Sequence, residues 1–94
     1  MSESETPVIY VGKKPTINYV LVTVTALNQS NKCVIQARGR QISKAVDIAE
    51  ITRRKFMLNN IDVEEVKIGS EELQNEEQEK TRIVSTIEIT LVKK

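Results

Sequence analysis

Residues 15–27 read Pro15-Thr16-Ile17-Asn18-Tyr19-Val20-Leu21-Val22-Thr23-Val24-Thr25-Ala26-Leu27, and whether this stretch is a helix or a strand decides the fold. Ile17, Val20, Leu21, Val24 and Leu27 recur at helical spacing and make one apolar stripe. Val20, Val22 and Val24 also alternate, and with Thr23 and Thr25 the β-branched content favours a strand. The stripe persists for three turns, and Pro15, with φ fixed near the helical value and no amide to satisfy, suits a first turn. The spacing therefore predicts a helix.

Before it, Val8-Ile9-Tyr10-Val11 reads as a short buried strand that stops at Gly12. After it, Asn28 to Lys32 is a polar turn, and Cys33 to Ala37 is a second strand ending at Arg38-Gly39-Arg40. Ser43 is placed to cap a second helix, with Asp47 near its start to complement the dipole. Ile42, Val46, Ala49 and Phe56 line one side of that helix, and Ala45, Ile48 and Ile51 widen the apolar band enough for two contacts, one to the sheet and one to another subunit. Arg53, Arg54 and Lys55 place positive charge in its last turn.

Asn59-Asn60 is a turn, after which Ile61 and Val63, then Val66 and Ile68, alternate with a phase change that reads as a bulge. Gly69 reads as a further irregularity. Ile83, Ser85, Ile87, Ile89 and Leu91 alternate with polar neighbours, the pattern of a half-buried antiparallel strand. These two strands form a long hairpin whose tip, Leu73 to Lys80, is too polar to pack and projects into solvent. The expected order is β-α-β-α-β-β, an α/β (α+β) sandwich with two helices on one face of a four-stranded mixed sheet. Residues 1–6 read as a mobile tail and residues 7–94 as one domain.

Composition excludes whole classes of chemistry. A chain of 94 residues buries only ~60–65% of its unfolded surface, so its core is modest and oligomerisation a natural supplement. With one cysteine, Cys33, and no histidine, no internal disulfide, Cys/His zinc site, Ser-His-Asp triad or Cys-His dyad can form. Cys33, in an apolar strand, reads as an inert core thiol. Gly12, Gly39 and Gly69 fit neither a dinucleotide fingerprint nor a phosphate loop, so no nucleotide cofactor is expected. Apolar runs are far too short to span a membrane and the first residues are acidic, so an intracellular protein without a membrane partner is expected.

The net charge of +1 conceals an asymmetry. Thr6 to Lys44 holds Lys13, Lys14, Lys32, Arg38, Arg40 and Lys44 and no acid, whereas Ile61 to Lys80 holds eight acids against two lysines. Lys13 and Lys14 follow a strand and precede a helix, a position from which two ammonium groups reach phosphates. Arg38 and Arg40 flank Gly39 on a second strand-to-helix turn, where forked guanidiniums suit phosphate oxygens and the glycine permits close approach. Paired lysines in a loop are common, but the acid-free window joins both features into a phosphate-binding surface. Recognition by stacking on the sheet is disfavoured, because Tyr10, Tyr19 and Phe56 are the only aromatics. The one enzymatic alternative, a metal-dependent nuclease using Asp62, Glu65 and Lys67, rests on a charge pattern common on any polar strand face, and neither a metal site nor catalysis is expected.

Several ordered blocks carry a resemblance: Val11-Gly12-Lys13-Lys14-Pro15 with Asn18-Tyr19-Val20-Leu21, Ala37-Arg38-Gly39-Arg40 with Ile42-Ser43-Lys44-Ala45-Val46-Asp47, Ala49-Glu50-Ile51 with Arg53 and Phe56, and Ser85-Thr86-Ile87-Glu88-Ile89. In these the chain resembles the archaeal Alba family of chromatin proteins. The resemblance implies the same element order, with the first helix helical, and a fold similar to the C-terminal domain of bacterial translation initiation factor three. It implies a homodimer that coats and compacts double-stranded DNA with little sequence preference, also binds RNA, and resides on the chromosome or nucleoid in the cytoplasm. Under it Lys13 and Lys14 match the central nucleic-acid-binding lysines, Lys13 matches an acetylation site reversed by a lysine deacetylase, and Arg38 and Arg40 match backbone-contacting positions. Phe56 matches the aromatic through which dimers associate. An RNA-binding role in ribonucleoprotein complexes is the main alternative. The hairpin tip departs from the family: Glu76, Glu77 and Glu79 stand where basic residues assist, leaving Lys80 and Arg82 as its only cations, and an anionic tip near phosphates lowers affinity at low salt.

Overall fold

The computed structural model describes residues 5–75 and 80–94. Residues 1–4 of the expected tail, and Glu76, Glu77, Gln78 and Glu79 of the expected hairpin tip, lie outside the described residues. The elements are β1 (Val8–Tyr10), α1 (Thr16–Ser30), β2 (Lys32–Arg38), a 3-10 turn (Gly39–Gln41), α2 (Ile42–Ile51), a π turn (Thr52–Phe56), β3 (Ile61–Asn75) and β4 (Lys80–Lys93). The sheet order is β1-β2-β4-β3, with β1 parallel to β2 and the other pairs antiparallel. This is the expected mixed four-stranded sheet with two helices. No helix among the described residues is long and apolar enough to cross a membrane.

The pairing register explains which sheet face is covered. Ile9 lies opposite Ile35, Ile35 opposite Ile89, Cys33 opposite Leu91 and Ala37 opposite Ile87, and directly opposed residues share a face. All of these are buried, together with Val20 and Leu27 of α1 and Ala45, Ile48 and Ala49 of α2. Both helices therefore pack on this one face. Cys33 sits in the middle of it, and burial pushes its thiol pKa up to about 12, so at neutral pH it is an unreactive core side chain.

The stretch that decides the fold is helical, but its buried face is rotated from the apolar stripe. Tyr19, Val20, Thr23 and Leu27 point inward, whereas Ile17 and Leu21 are about half exposed. Two polar contacts account for the rotation. The Thr23 hydroxyl donates to the carbonyl of Tyr19 at 2.7 Å, so a threonine is buried without an unmet hydrogen bond. The Tyr19 hydroxyl is drawn in to serve the loop after β1. The helix also continues through Asn28, where a polar turn was expected. It ends at Asn31, whose left-handed φ of 63° lets its amide reach the Leu27 carbonyl at 2.9 Å.

Ser43 does not cap α2. The 3-10 turn feeds directly into the helix, the Ile42 amide bonding to the Gly39 carbonyl, so Ser43 is already inside α2 and Asp47 lies beyond its first turn. Gly39 starts this turn at φ +58°, a conformation that favours glycine. At its far end α2 loosens into the π turn, closed by a bond from the Met57 amide to the Thr52 carbonyl at 2.8 Å. Val46 and Phe56, from the expected wide apolar band, remain 43% and 44% exposed.

Arg53 and Arg54 are tied back to the helix. Arg53 grips both Glu50 carboxylate oxygens, at 3.0 and 2.9 Å, and Arg54 adds a contact at 3.1 Å. Hydrogen bonds from Arg53 and then Arg54 hold the Glu50 carboxyl below its ordinary value of 4.5. A carboxyl with a lowered folded-state pKa contributes stability above its unfolded pKa and loses it as pH falls through the folded value. Glu50→Gln should accordingly lower the melting temperature slightly at neutral pH, and that difference should vanish at pH values below the lowered pKa. A difference independent of pH would show that the ion pairs are not its source.

The bulge expected between Val63 and Val66 is present, as a register shift between Val63 and Glu65. Gly69, read as a second irregularity, is not one: it pairs in register with Thr86, where a Cβ would approach the Thr86 hydroxyl at 3.2 Å. The ladder continues to Asn75 opposite Lys80, so Leu73, Gln74 and Asn75 belong to β3 and not to the tip. Only Ile87, Ile89 and Leu91 of the alternating β4 set are buried, while Ile83 is 69% exposed because the hairpin runs past the helices.

Candidate nucleic-acid interface

The loop from Gly12 to Pro15 is held from three sides. At its entrance, the Val11 amide bonds to the Gln36 carbonyl at 2.9 Å, fixing the end of β1 beside β2. From α1, the Tyr19 hydroxyl accepts the amides of Gly12 at 2.8 Å and Lys14 at 3.2 Å. From α2, the Lys44 ammonium donates to the carbonyls of Gly12 at 2.9 Å and Lys14 at 3.0 Å, with its nitrogen 5.9 Å from the centre of the Tyr19 ring. The amides and carbonyls of Gly12 and Lys14 are thus held by Tyr19 and Lys44, while Lys13 and Lys14 are themselves exposed.

Lys44 was legible only as one more positive charge. Its geometry makes it a brace, because two of its three ammonium donors are given to loop carbonyls. Nothing in the local spacing announces this role, since the contact joins residues 30 and 32 positions apart. Lys44→Met keeps the aliphatic stem and deletes both bonds. It should cost about 1–3 kcal/mol of stability and speed amide exchange at Gly12 and Lys14, both measurable on the folded protein. Unchanged exchange would remove Lys44 from the scaffold.

The other sequence-predicted cations lie at the same end of the sheet. Parallel β1 and β2 both point toward it, so Arg38 at the end of β2 and Arg40 in the 3-10 turn follow the same edge as the lysine loop. The Lys44 bonds draw that loop against the start of α2, just after Arg40. Arg40 is exposed. Arg38 is not free: its guanidinium contacts the Glu71 carboxylate at 3.2 Å, with the two side chains 60% and 52% exposed. Exposed pairs of this kind are worth about 0–1 kcal/mol, so a phosphate can compete for Arg38 at little cost. Arg82 is exposed and sits four positions up β4 from the residue opposite Arg38, about 13 Å beyond the main group. Lys80, two positions farther, opens β4.

The residues of the nuclease alternative do not converge. Asp62 pairs with Lys94 at 3.6 Å and Glu65 with Lys67 at 4.0 Å, on either side of the bulge. No group of three metal-ligating side chains occurs among the described residues.

Comparison with known proteins agrees with the fold. The profile of the Alba family matches residues 7–70. The "DNA/RNA-binding protein Alba" of Nanoarchaeum equitans is 49% identical over 89 residues, covering 94% of this chain and 99% of that protein. The protein of the same name from Thermoplasma acidophilum is 54% identical, covering 94% and 97%. The solved structure of Alba from Thermoplasma volcanium superposes with a TM-score of 0.82 at 53% identity, covering 92% of this chain and 99% of that one. ALBA1 from Trypanosoma brucei shares the fold at 20% identity, with a TM-score of 0.73 over 95% of this chain and 70% of its own. Relatives this similar over nearly their whole length, with a family profile spanning most of the domain, establish that the chain belongs to the Alba family.

Proposed function

We propose that this chain is a non-enzymatic nucleic-acid-binding protein that coats and compacts double-stranded DNA as a homodimer and also binds RNA. The observation that carries the reading is the braced loop, whose Gly12 and Lys14 backbone groups are held by Tyr19 and Lys44 while Lys13 and Lys14 are exposed to solvent. Ammonium groups held this way neutralise phosphates and release counterions without reading base edges, so affinity depends on salt and hardly on sequence. Arg38, Arg40 and, farther out, Arg82 and Lys80 extend the contact. Curated relatives named as DNA/RNA-binding proteins support the same reading.

Dimerisation accounts for a second feature. Val63, Val66 and Ile68 lie opposite Leu91, Ile89 and Ile87, on the helix-covered face of the sheet, yet are 40%, 52% and 84% exposed because no helix extends over the edge strand. A second subunit packed there would bury them and place two lysine loops on one assembly. Phe56, half exposed at the end of the π turn, is suited to contact between neighbouring dimers. Acetylation of the exposed Lys13 would delete a phosphate donor without disturbing the brace, giving a switch that a lysine deacetylase resets. A place on the chromosome in the cytoplasm follows from this role.

Equilibrium binding to two unrelated duplex DNAs of equal length, and to duplex RNA, tests the proposal at matched salt. The two DNAs should bind with affinities within about threefold, as phosphate-dominated recognition requires, and sedimentation should give a dimer. Strong discrimination between the DNAs, or no binding, would contradict it; clearly tighter RNA binding would favour the ribonucleoprotein role.

A further inference from the structure

The face of the sheet turned away from the helices carries a groove of about 590 Å³ at the end bearing the lysine loop. It is lined by Tyr10, Gln36, Arg38, Glu71, Thr86 and Glu88. Tyr10, Gln36, Glu88 and Lys67 form one continuous row across all four strands, each directly opposite the next. The neighbouring row is Arg38, Thr86 and Gly69, of which Arg38 and Thr86 line the groove. Tyr10 is 71% exposed, the most exposed aromatic ring of the chain, at the end of the edge strand β1.

We infer that this groove is a subsite for a single unpaired nucleobase, with guanine the best match, so that the protein holds single-stranded RNA by a second mode in addition to phosphate contact. The inference rests on the nucleic-acid-binding reading above. A flat aromatic ring on an open strand is a stacking platform for any base. Specificity comes from the next two residues in the row. The Glu88 carboxylate only accepts hydrogen bonds and suits the adjacent N1–H and N2–H₂ donors of guanine, while the Gln36 amide can donate to O6. No other base offers two adjacent donors on that edge beside an acceptor. The groove volume falls within the range of small-molecule sites, ~300–1,000 Å³.

Position favours nucleic acid over another occupant. Tyr10 ends β1 only three residues before Lys13, so a strand whose phosphates lie on the lysine loop can lay its next base on the ring. Arg38 lines the groove while its guanidinium can exchange Glu71 for a phosphate. The face is also opposite the one assigned to the subunit contact, so dimerisation leaves it open. Bases inside a duplex cannot reach the ring, which separates this site from the proposed duplex surface.

Fluorescence anisotropy with labelled oligoadenylate RNAs carrying one central guanosine or one central inosine, alongside a duplex DNA, tests the inference. Inosine keeps O6 and N1–H but lacks the 2-amino group. The unmodified protein should bind the guanosine oligomer several-fold more tightly than the inosine one. Tyr10→Ala should weaken binding of the guanosine oligomer by about 5- to 150-fold, the range for loss of one stacked base, and Tyr10→Phe should retain it. Glu88→Gln should abolish the preference for guanosine over inosine. Duplex affinity should be unchanged in all three variants. Tyr10→Ala binding the oligomers like the unmodified protein, or losing single-strand and duplex binding equally, would overturn the subsite while leaving duplex binding intact as a property of the unmodified protein. Failure of the unmodified protein to bind any of the three probes would instead overturn the nucleic-acid-binding reading and the subsite with it.

Discussion

Replacing Lys13 by Gln and Lys14 by Ala in one chain is expected to weaken duplex DNA binding by about 10³- to 10⁴-fold at ~0.1 M salt, with no loss of fold. Each phosphate-contacting cation contributes about 0.9 to the slope of log affinity against log salt, which makes it worth about eightfold at ~0.1 M relative to ~1 M. Two lysines from each subunit of a dimer multiply to the stated range. Stability should be unaffected because both side chains are exposed and the loop is held through its backbone by Tyr19 and Lys44. Lys13→Gln alone, which mimics acetylation, should cost about 60-fold by the same reasoning. An unchanged melting temperature beside the lost affinity separates a binding defect from a folding defect.

Leu91→Ala should have the largest effect on stability, about 2–5 kcal/mol out of the ~5–15 typical of a small domain. Leu91 is fully buried in β4, the strand that joins both antiparallel pairs, and lies opposite Cys33 on one side and Val63 on the other. Truncation leaves a cavity that β-sheet backbone on both sides cannot collapse to fill. Val22→Ala, half exposed on α1, should cost less than about 1 kcal/mol. Denaturant titration of both variants decides the point: equal losses would mean that Leu91 does not anchor the core.

The elements most legible in the sequence were those governed by local spacing. Period-two alternation from Ile83 to Leu91 identified β4 and its inward face but not that Ile83 and Ser85 lie beyond the core, and the break between Val63 and Val66 located the bulge, because alternation reports a face and not how far the helices cover it. The apolar stripe of α1 identified the helix but misplaced its inner face. That face is set by the Tyr19 hydroxyl, whose partners are loop amides five and seven residues away, and by a Thr23 bond that makes burial of a hydroxyl tolerable. Ser43 had the composition of a cap, yet the 3-10 turn satisfied the helix start first. In the candidate site, the cations themselves were visible as an acid-free window. The division of labour among them was not, since the contacts of Lys44 with the loop and of Arg38 with Glu71 join residues 30 to 33 positions apart. With so few aromatics in the chain, composition alone argues against Tyr10 as a stacking residue. Its exposed place in a row with Gln36 and Glu88 depends on strand pairing that composition does not encode.

The proposed neutralisation of duplex phosphates by Lys13 and Lys14 is tested most sharply by the salt dependence of duplex affinity, for the unmodified protein and the Lys13→Gln, Lys14→Ala variant, between ~50 and ~200 mM salt. A steep linear fall of log affinity with log salt is expected for the unmodified protein, and a slope shallower by about 3.6 for the variant if two lysines are lost from each subunit of the proposed dimer. Parallel lines of equal slope would contradict it, whatever the difference in absolute affinity.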